Sequence, residues 1–296
     1  MVYKTSGDTE KKEQTRAHDR PEHVIEESHV LTEKEEEKVI ERLHLPATAV
    51  YAIVKEQGSV ELDRPSASLF WSGIVAGIAM GFSILTLALF QMHLPDTSWA
   101  PLISSLGYAT GFLIVILGRQ QLFTESTITA VLPLTAHPSW KGFGNMLRVW
   151  GVVLLANWLG CLLAAVAFVV LPLIPPGVST AVVEASQHYG NLTAHLAFSH
   201  GIGAGFLVAL MVWMMPSTEH NKFALIAATG WLIALAGFTH VIAGMCEIAV
   251  LVFTGNITAG HAFFTLALPT LAGNILGGSG VFMVLAYAQV KNEVKK

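Results

Sequence analysis

The sequence predicts an all-α polytopic membrane protein, and this prediction follows from its hydrophobic content and from the uneven distribution of its charges. Of the 296 residues, 53% are hydrophobic and 13% are charged. Residues 65–290 contain only nine Lys, Arg, Asp or Glu side chains, whereas about a quarter of the residues in a soluble domain are charged. This composition excludes a soluble enzyme, a disordered chain and a nucleic-acid-binding protein, which would carry a basic face.

The chain divides by composition into four segments. Residues 1–44 are predicted to form a charged cytoplasmic tail and helix, and residues 45–67 an amphipathic segment that lies along the membrane surface. Residues 68–290 form the predicted transmembrane pore domain, and residues 291–296 form a short cytoplasmic tail.

Six apolar runs make up the transmembrane domain. A membrane-spanning helix needs about 20 apolar residues. Four runs have about that length: 68–90, 146–171, 192–215 and 263–288. Two further runs, 102–133 and 223–254, are longer than one span and carry polar residues near their middles. The sequence therefore predicts six transmembrane helices, of which the second and the fifth are broken.

The basic residues of the loops indicate how these helices are oriented. Three loops contain no Lys or Arg: 91–101, 172–190 and 255–262. The loops on the other side of the membrane are bordered by Lys141, Arg148 and Lys222. Because cytoplasmic loops are enriched in Lys and Arg, both termini are predicted to lie in the cytoplasm.

The two halves of the transmembrane domain resemble each other. An Asn-x-Leu-Gly pattern begins at Asn157 in the third run and again at Asn274 in the sixth, 117 residues later. Phe123 and His240, at the two predicted breaks, are also 117 residues apart. Since each half contains three spans, the second half must enter the membrane inverted. Inverted repeats with broken helices indicate a solute pathway near the middle of the bilayer, where unwound backbone survives only inside protein or along a cavity.

Five stretches resemble the motifs of the formate–nitrite transporter family, in the same order and with the same spacing. They are residues 45–58, 118–124, 201–213, 237–245 and 273–282. The resemblance implies a homopentamer in the bacterial inner membrane, in which each protomer has its own aquaporin-like pore. It implies a channel or transporter for small monovalent anions or their protonated weak acids, such as formate, nitrite, lactate and hydrosulfide.

The chain departs from the family pattern at several pore positions, which indicates the YfdC-like branch rather than a standard formate or nitrite member. Thr239 stands where the family has a glutamate before its histidine, Tyr189 where it has a vestibule lysine, and Glu125 where a small uncharged residue is usual. These changes weaken the field that attracts anions. A second interpretation therefore stays open, in which the pore passes a small neutral or cationic solute such as ammonia.

His240 is predicted to be the central pore residue, because it is the ionisable residue in the middle of the broken fifth run. A charge at that depth costs roughly 2.5–3.5 kcal/mol, so the resting imidazole is expected to be neutral. It could still hydrogen-bond an approaching anion or give it a proton. The resulting neutral acid avoids the cost of moving an anion through a dry constriction. Thr124 and Thr239 offer hydroxyl groups that orient the solute.

Further side chains are expected to shape and support this pore. The resemblance implies constrictions formed by Leu122, Phe123, Ile233 and Val208. The remaining candidates are Arg119 and Glu125, which could pair across the break in the second run, His200 and Tyr189 in the vestibule, and Asn157 and Asn274 as supports of the two breaks. Glu125 could instead face the solute. The expected partners are the solute, protons and the lipid bilayer, with no metal, cofactor or nucleic acid.

Overall fold

The computed structural model describes residues 45–136, 138–171, 173–218 and 220–293. The tail and charged helix predicted for residues 1–44, and the end of the predicted C-terminal tail, lie outside the described residues. Within the described part of the chain, all regular secondary structure is helical. The predicted all-α class is therefore confirmed.

We number the helices in chain order. They are α1 (Ala47–Asp63), α2 (Ser66–His93), α3 (Ala100–Leu117), α4 (Phe123–Thr129), α5 (Leu132–Ala136), α6 (Trp140–Val170), α7 (Pro176–Gly190), α8 (Ala194–Ser217), α9 (Lys222–Leu235), α10 (Val241–Phe253) and α11 (Ala259–Val290). Helices α2, α3, α6, α8 and α11 are long and apolar enough to cross a membrane. Helices α9 and α10 are shorter and also apolar.

Two pairs of helices are separated by short non-helical segments. Residues 118–122 lie between α3 and α4, and residues 236–240 lie between α9 and α10. These segments interrupt the two long apolar runs near their middles. The interruptions place polar backbone and side-chain groups among apolar helices.

One prediction about the loops is wrong, because the loop expected at residues 172–190 contains helix α7. Pro176 occupies its first turn, where the missing N–H of proline would have had no partner. Val182 and Tyr189 are buried on this helix, which packs against α2 and α10. Hydropathy does not predict this helix, because it is short and contains both polar and apolar residues.

Glycines hold two pairs of long helices in backbone contact. A Cβ at Gly77 of α2 would lie 2.1 Å from the carbonyl oxygen of Asn157 in α6. A Cβ at Gly205 of α8 would lie 2.2 Å from the carbonyl oxygen of Asn274 in α11. Small residues permit such close approach of helices within a membrane. The contacts place Asn157 and Asn274 in equivalent positions, each against a glycine of the neighbouring helix.

Candidate functional site

The first break begins where α3 ends in a left-handed turn. Arg119 has φ of 52° and is the non-glycine residue with positive φ among the described residues. The backbone N–H of Gln120 donates to the carbonyl oxygen of Val115 at 2.9 Å, which is the long hydrogen bond of a Schellman motif. Glycine or asparagine usually occupies such a position, so the sequence gives no direct signal for this turn at an arginine.

The second break has the same form. Gly237 has φ of 66°, and the backbone N–H of Phe238 donates to the carbonyl oxygen of Ile233 at 3.0 Å. Both helices therefore end in a Schellman motif, and a short extended segment leads from each to the next half-helix. Here the glycine, which tolerates the left-handed region, is visible in the sequence.

Asn157 satisfies backbone groups on both sides of the first break. Its Oδ1 accepts from the N–H of Phe123 at 2.9 Å, and its Nδ2 donates to the carbonyl oxygens of Gln121 at 3.0 Å and Gly73 at 2.8 Å. Asn157 is fully buried. One amide thus supplies partners to the backbone groups of Gln121 and Phe123 at the break and ties them to α2 through Gly73.

Asn274 does the same at the second break. Its Oδ1 accepts from the N–H of Val241 at 2.9 Å, and its Nδ2 donates to the carbonyl oxygens of Thr239 and Gly201, both at 2.9 Å. These equivalent hydrogen bonds shift by one residue the correspondence between the two halves that was inferred from the sequence. Phe123 corresponds to Val241 and not to His240, because each donates its N–H to the asparagine.

His240 caps helix α10 and joins it to α4. Its Nδ1 accepts from the N–H of Ala243 at 3.2 Å, and its Nε2 lies 2.7 Å from Oγ1 of Thr124. A ring nitrogen that accepts a hydrogen bond carries no proton. The ring is therefore neutral, and its Nε2–H donates to Thr124. His240 is 1% exposed, and its ring packs edge-on against Phe112 with centroids 4.8 Å apart.

The residues expected to form constrictions are buried in one apolar cluster. Leu122, Ile233 and Val208 have no exposed surface, and Phe123 is 1% exposed. Phe112 belongs to the same cluster, and sequence inspection did not single it out. Its contact with His240 makes it a further apolar wall at the centre of the site.

A cavity of about 810 Å³ lies beside the second break, and we call it the vestibule. The predicted residues His240, Thr239, His200 and Tyr189 line it, whereas Arg119 and Glu125 do not. Among the described residues that line it, none is Lys or Arg. The vestibule therefore has no fixed positive charge.

Hydrogen bonds fix several polar groups of the vestibule. Thr239 Oγ1 donates to the carbonyl oxygen of Ala197 at 2.8 Å, so its hydroxyl hydrogen is not free to orient a solute. The hydroxyl groups of Tyr189 and Thr270 lie 2.7 Å apart. Within the described residues, the buried Nδ1 of His200 has no hydrogen-bond partner.

The predicted pairing of Arg119 with Glu125 is not found. The structure records no hydrogen bond between these two described residues, and Arg119 is exposed at the turn. Glu125 lies in the first turn of α4, close enough to Glu61 to interact with it electrostatically. The left-handed backbone at Arg119 directs the chain away from the position that a six-residue spacing suggested.

A different carboxyl group, Glu61 of α1, ties the first break to the preceding helix. Gln121, Ser126 and Thr129 all donate to its two oxygens. Arg64 Nη1 donates to Oε1 of Gln121 at 2.7 Å. Burial raises the pKa of Glu61 above its usual value, and the hydrogen bonds from Ser126 and Thr129 and the charge of Arg64 oppose that rise. Its position on an amphipathic helix gave no sign of this role.

We expect Glu61→Gln to destabilise the protein by about 1–3 kcal/mol, because its amide nitrogen would face donors that the carboxyl group now accepts from. Since the pKa of Glu61 is raised in the folded protein, the folded state binds more protons than the unfolded chain at pH values just above the usual pKa of a glutamate. This contribution to stability is complete at acidic pH and is lost as the pH rises above the usual range. Thermal unfolding of the detergent-solubilised protein between about pH 5 and 8 should show this slope in the wild type and a flatter one in the variant.

Glu56→Gln is the matched control, because Glu56 is an exposed carboxyl on the same helix. It should keep the wild-type slope. A Glu61→Gln variant with the wild-type slope would contradict the assignment.

This chain is similar to known proteins of one family. The family model for formate/nitrite transporters matches residues 48–288. The inner membrane protein YfdC of Escherichia coli (strain K12) is 41% identical over 266 residues, which cover 88% of this chain and 86% of that protein.

Solved structures with the same fold include two channels. An FNT family ion channel has a TM-score of 0.67 and 25% identity, covering 82% of this chain and 98% of that one. A pentameric formate channel with formate bound has a TM-score of 0.66 and 24% identity, covering 77% of this chain and 98% of that one. At that identity, the second match shows the fold alone.

Proposed function

The chain belongs to the formate/nitrite transporter family, and from this we propose that it is a channel that passes small monovalent weak acids through a pore in each protomer. Members of this family are channels and transporters rather than enzymes. The observation that carries the proposal is the hydrogen bond between His240 and Thr124, which joins the two interrupted helices. Formate, nitrite, lactate and hydrosulfide are the candidate solutes, because each is a small monovalent anion with a neutral conjugate acid.

The solute crosses the centre of the pore as a neutral acid. Leu122, Phe123 and Phe112 are buried apolar side chains around the breaks, and an anion without partners is costly in such surroundings. The neutral ring of His240 offers no charge to compensate it. Proton exchange with the solute at His240 or in the vestibule removes this cost.

The proposed architecture has six crossings in two inverted repeats, with both termini in the cytoplasm. The matching bonds of Asn157 and Asn274 support the repeat, and the side on which the loop lysines and arginines lie supports the orientation. The relative YfdC is described as an inner membrane protein, which supports that location here.

The proposed assembly is a homopentamer. One structural neighbour is described as a pentameric channel. The outward faces of the helices carry exposed apolar side chains, among them Trp71, Leu155 and Phe264. Such faces suit contact with lipid and with neighbouring protomers.

Uptake by proteoliposomes tests the proposal. Purified protein should raise uptake of at least one of formate, nitrite, lactate and hydrosulfide above that of protein-free liposomes, and more strongly at acidic than at neutral pH. Absence of uptake for all four solutes would contradict it.

A small neutral or cationic solute such as ammonia is the second candidate. The vestibule favours it, because Asp96 and Glu247 line this cavity together with no Lys or Arg among the described residues. This alternative predicts methylammonium uptake without formate uptake. It also predicts that Glu125→Gln abolishes conduction.

A further inference from the structure

Glu247 lies on the same face of α10 as the central histidine. His240, Gly244 and Glu247 follow one another at helical spacing, and all three line the vestibule. With a rise of 1.5 Å per residue, Glu247 is about 10 Å along the helix axis from His240. Gly244 leaves room for Tyr189 between them, since a Cβ there would lie 2.7 Å from its ring.

Glu247 is a buried residue whose carboxyl group borders the vestibule and has no hydrogen-bond partner among the described residues. It is 9% exposed, and the phenols of Tyr108 and Tyr189 are close enough to interact with it electrostatically. A carboxylate in such a place, with no cation beside it, pays a desolvation cost. A bound proton removes that cost and turns the group into a hydrogen-bond donor that faces the cavity.

Other titratable groups from several helices line the vestibule with Glu247 or lie next to Cys246, its neighbour in the sequence. They are Asp96 between α2 and α3, Tyr108 of α3, Cys161 of α6, His188 and Tyr189 of α7, His200 of α8, and His240 and Cys246 of α10. None of these groups is permanently cationic. An anion that enters the vestibule therefore finds donors of protons and hydrogen bonds instead of a fixed positive charge.

We propose that Glu247 is a proton donor to the solute, which it neutralises in the vestibule before the solute reaches His240. The inference rests on the proposed function. The O–H bond of the Glu247 carboxyl breaks as an O–H or S–H bond forms on the solute anion, and the electron pair stays on the Glu247 carboxylate. Hydronium in the vestibule then returns the proton to Glu247. Each solute anion therefore crosses with one proton.

The chemistry of the two partners suits this transfer. A protonated carboxyl and a formate ion form a short charge-assisted O–H···O⁻ hydrogen bond. Because donor and acceptor are both carboxyl oxygens, the O–H bond that breaks and the O–H bond that forms are of the same kind, and the loss of water around the entering formate favours its protonated form. An ionised Glu247 would instead repel the anion, so the protonated form is the one that admits it.

Formate uptake by proteoliposomes of the full chain tests this role. Glu247→Gln should lower uptake at about pH 7 by at least about tenfold, since general acid catalysis contributes that much or more. The deficit should shrink at about pH 5, because the solution then supplies more neutral formic acid. Glu247→Asp, which keeps the proton, should recover part of the uptake at neutral pH.

Glu184→Gln is the matched control, because Glu184 is an exposed carboxyl on α7 and does not line the vestibule. A Glu247→Gln variant that matches this control at both pH values would overturn the proposal and leave weak-acid transport intact. Equal loss at both pH values would also overturn it, because a structural role predicts that result. Wild-type protein that carries none of formate, nitrite, lactate and hydrosulfide at either pH would overturn the proposed function as well.

Discussion

Replacing His240 with asparagine should lower formate uptake at neutral pH by at least about tenfold while the protein stays folded. Asparagine is a favoured N-cap residue, so it can accept the hydrogen bond that Ala243 N–H now donates to the ring. It cannot exchange a proton. The substitution therefore separates the capping of α10 from the part of the imidazole in passing the solute, because it removes the titratable ring and its Nε2–H bond to Thr124.

Two further measurements identify the cause of that loss. His220→Asn is the matched control, because His220 is exposed in the segment before α9, and its uptake should equal that of the wild type. The midpoint of thermal unfolding of His240→Asn should stay close to the wild-type value. Uptake by His240→Asn at the wild-type rate and with the wild-type pH profile would contradict the role given to the imidazole.

Replacing Asn274 with leucine should prevent stable folding. The substitution leaves the N–H of Val241 and the carbonyl oxygen of Thr239 without these partners and removes the bond that ties the break to Gly201 of α8. Each unsatisfied buried group costs about 1–3 kcal/mol, which is a large share of a stability of about 5–15 kcal/mol. Asn157→Leu should have the same effect at the first break.

Size-exclusion chromatography and thermal unfolding in detergent check this result. Both variants should elute as aggregates or unfold well below the wild type. Asn256→Leu, at an exposed position after α10, should change stability by about 0.5 kcal/mol or less. A folded and equally stable Asn274→Leu variant would show that the breaks do not depend on these amides.

The sequence predicts the helices well because apolar length and loop charge act over whole segments. It also singles out both breaks, since polar residues in the middle of a long apolar run are expensive unless the helix is interrupted there. The correspondence of Asn157 and Asn274 appears as a spaced pattern. The equivalence of the two breaks is shifted by one residue from the one that the sequence suggested. Phe123 occupies the position equivalent to that of Val241, and only the hydrogen bonds to the two asparagines reveal this.

Contacts between segments that are distant in the sequence could not be predicted from the sequence. Glu61 lies on the helix before the first span, and nothing in its local pattern signals three donors from the first break. Arg119 and Glu125 are close in sequence, yet Arg119 lies in a left-handed turn and is exposed, and no hydrogen bond joins it to Glu125 among the described residues. Phe112 is one apolar residue among many until its ring is found against His240.

The central claim is that the solute passes His240 as a neutral acid. The most direct test uses proteoliposomes that contain a pH-sensitive dye in the lumen. Formate is added outside in two experiments, one with the membrane potential clamped at zero and one with the inside held negative. The account predicts that the lumen acidifies faster than in protein-free liposomes and at the same rate at both potentials. Formate uptake that follows the potential and leaves the lumen at its starting pH would contradict it, because the anion alone would then be crossing.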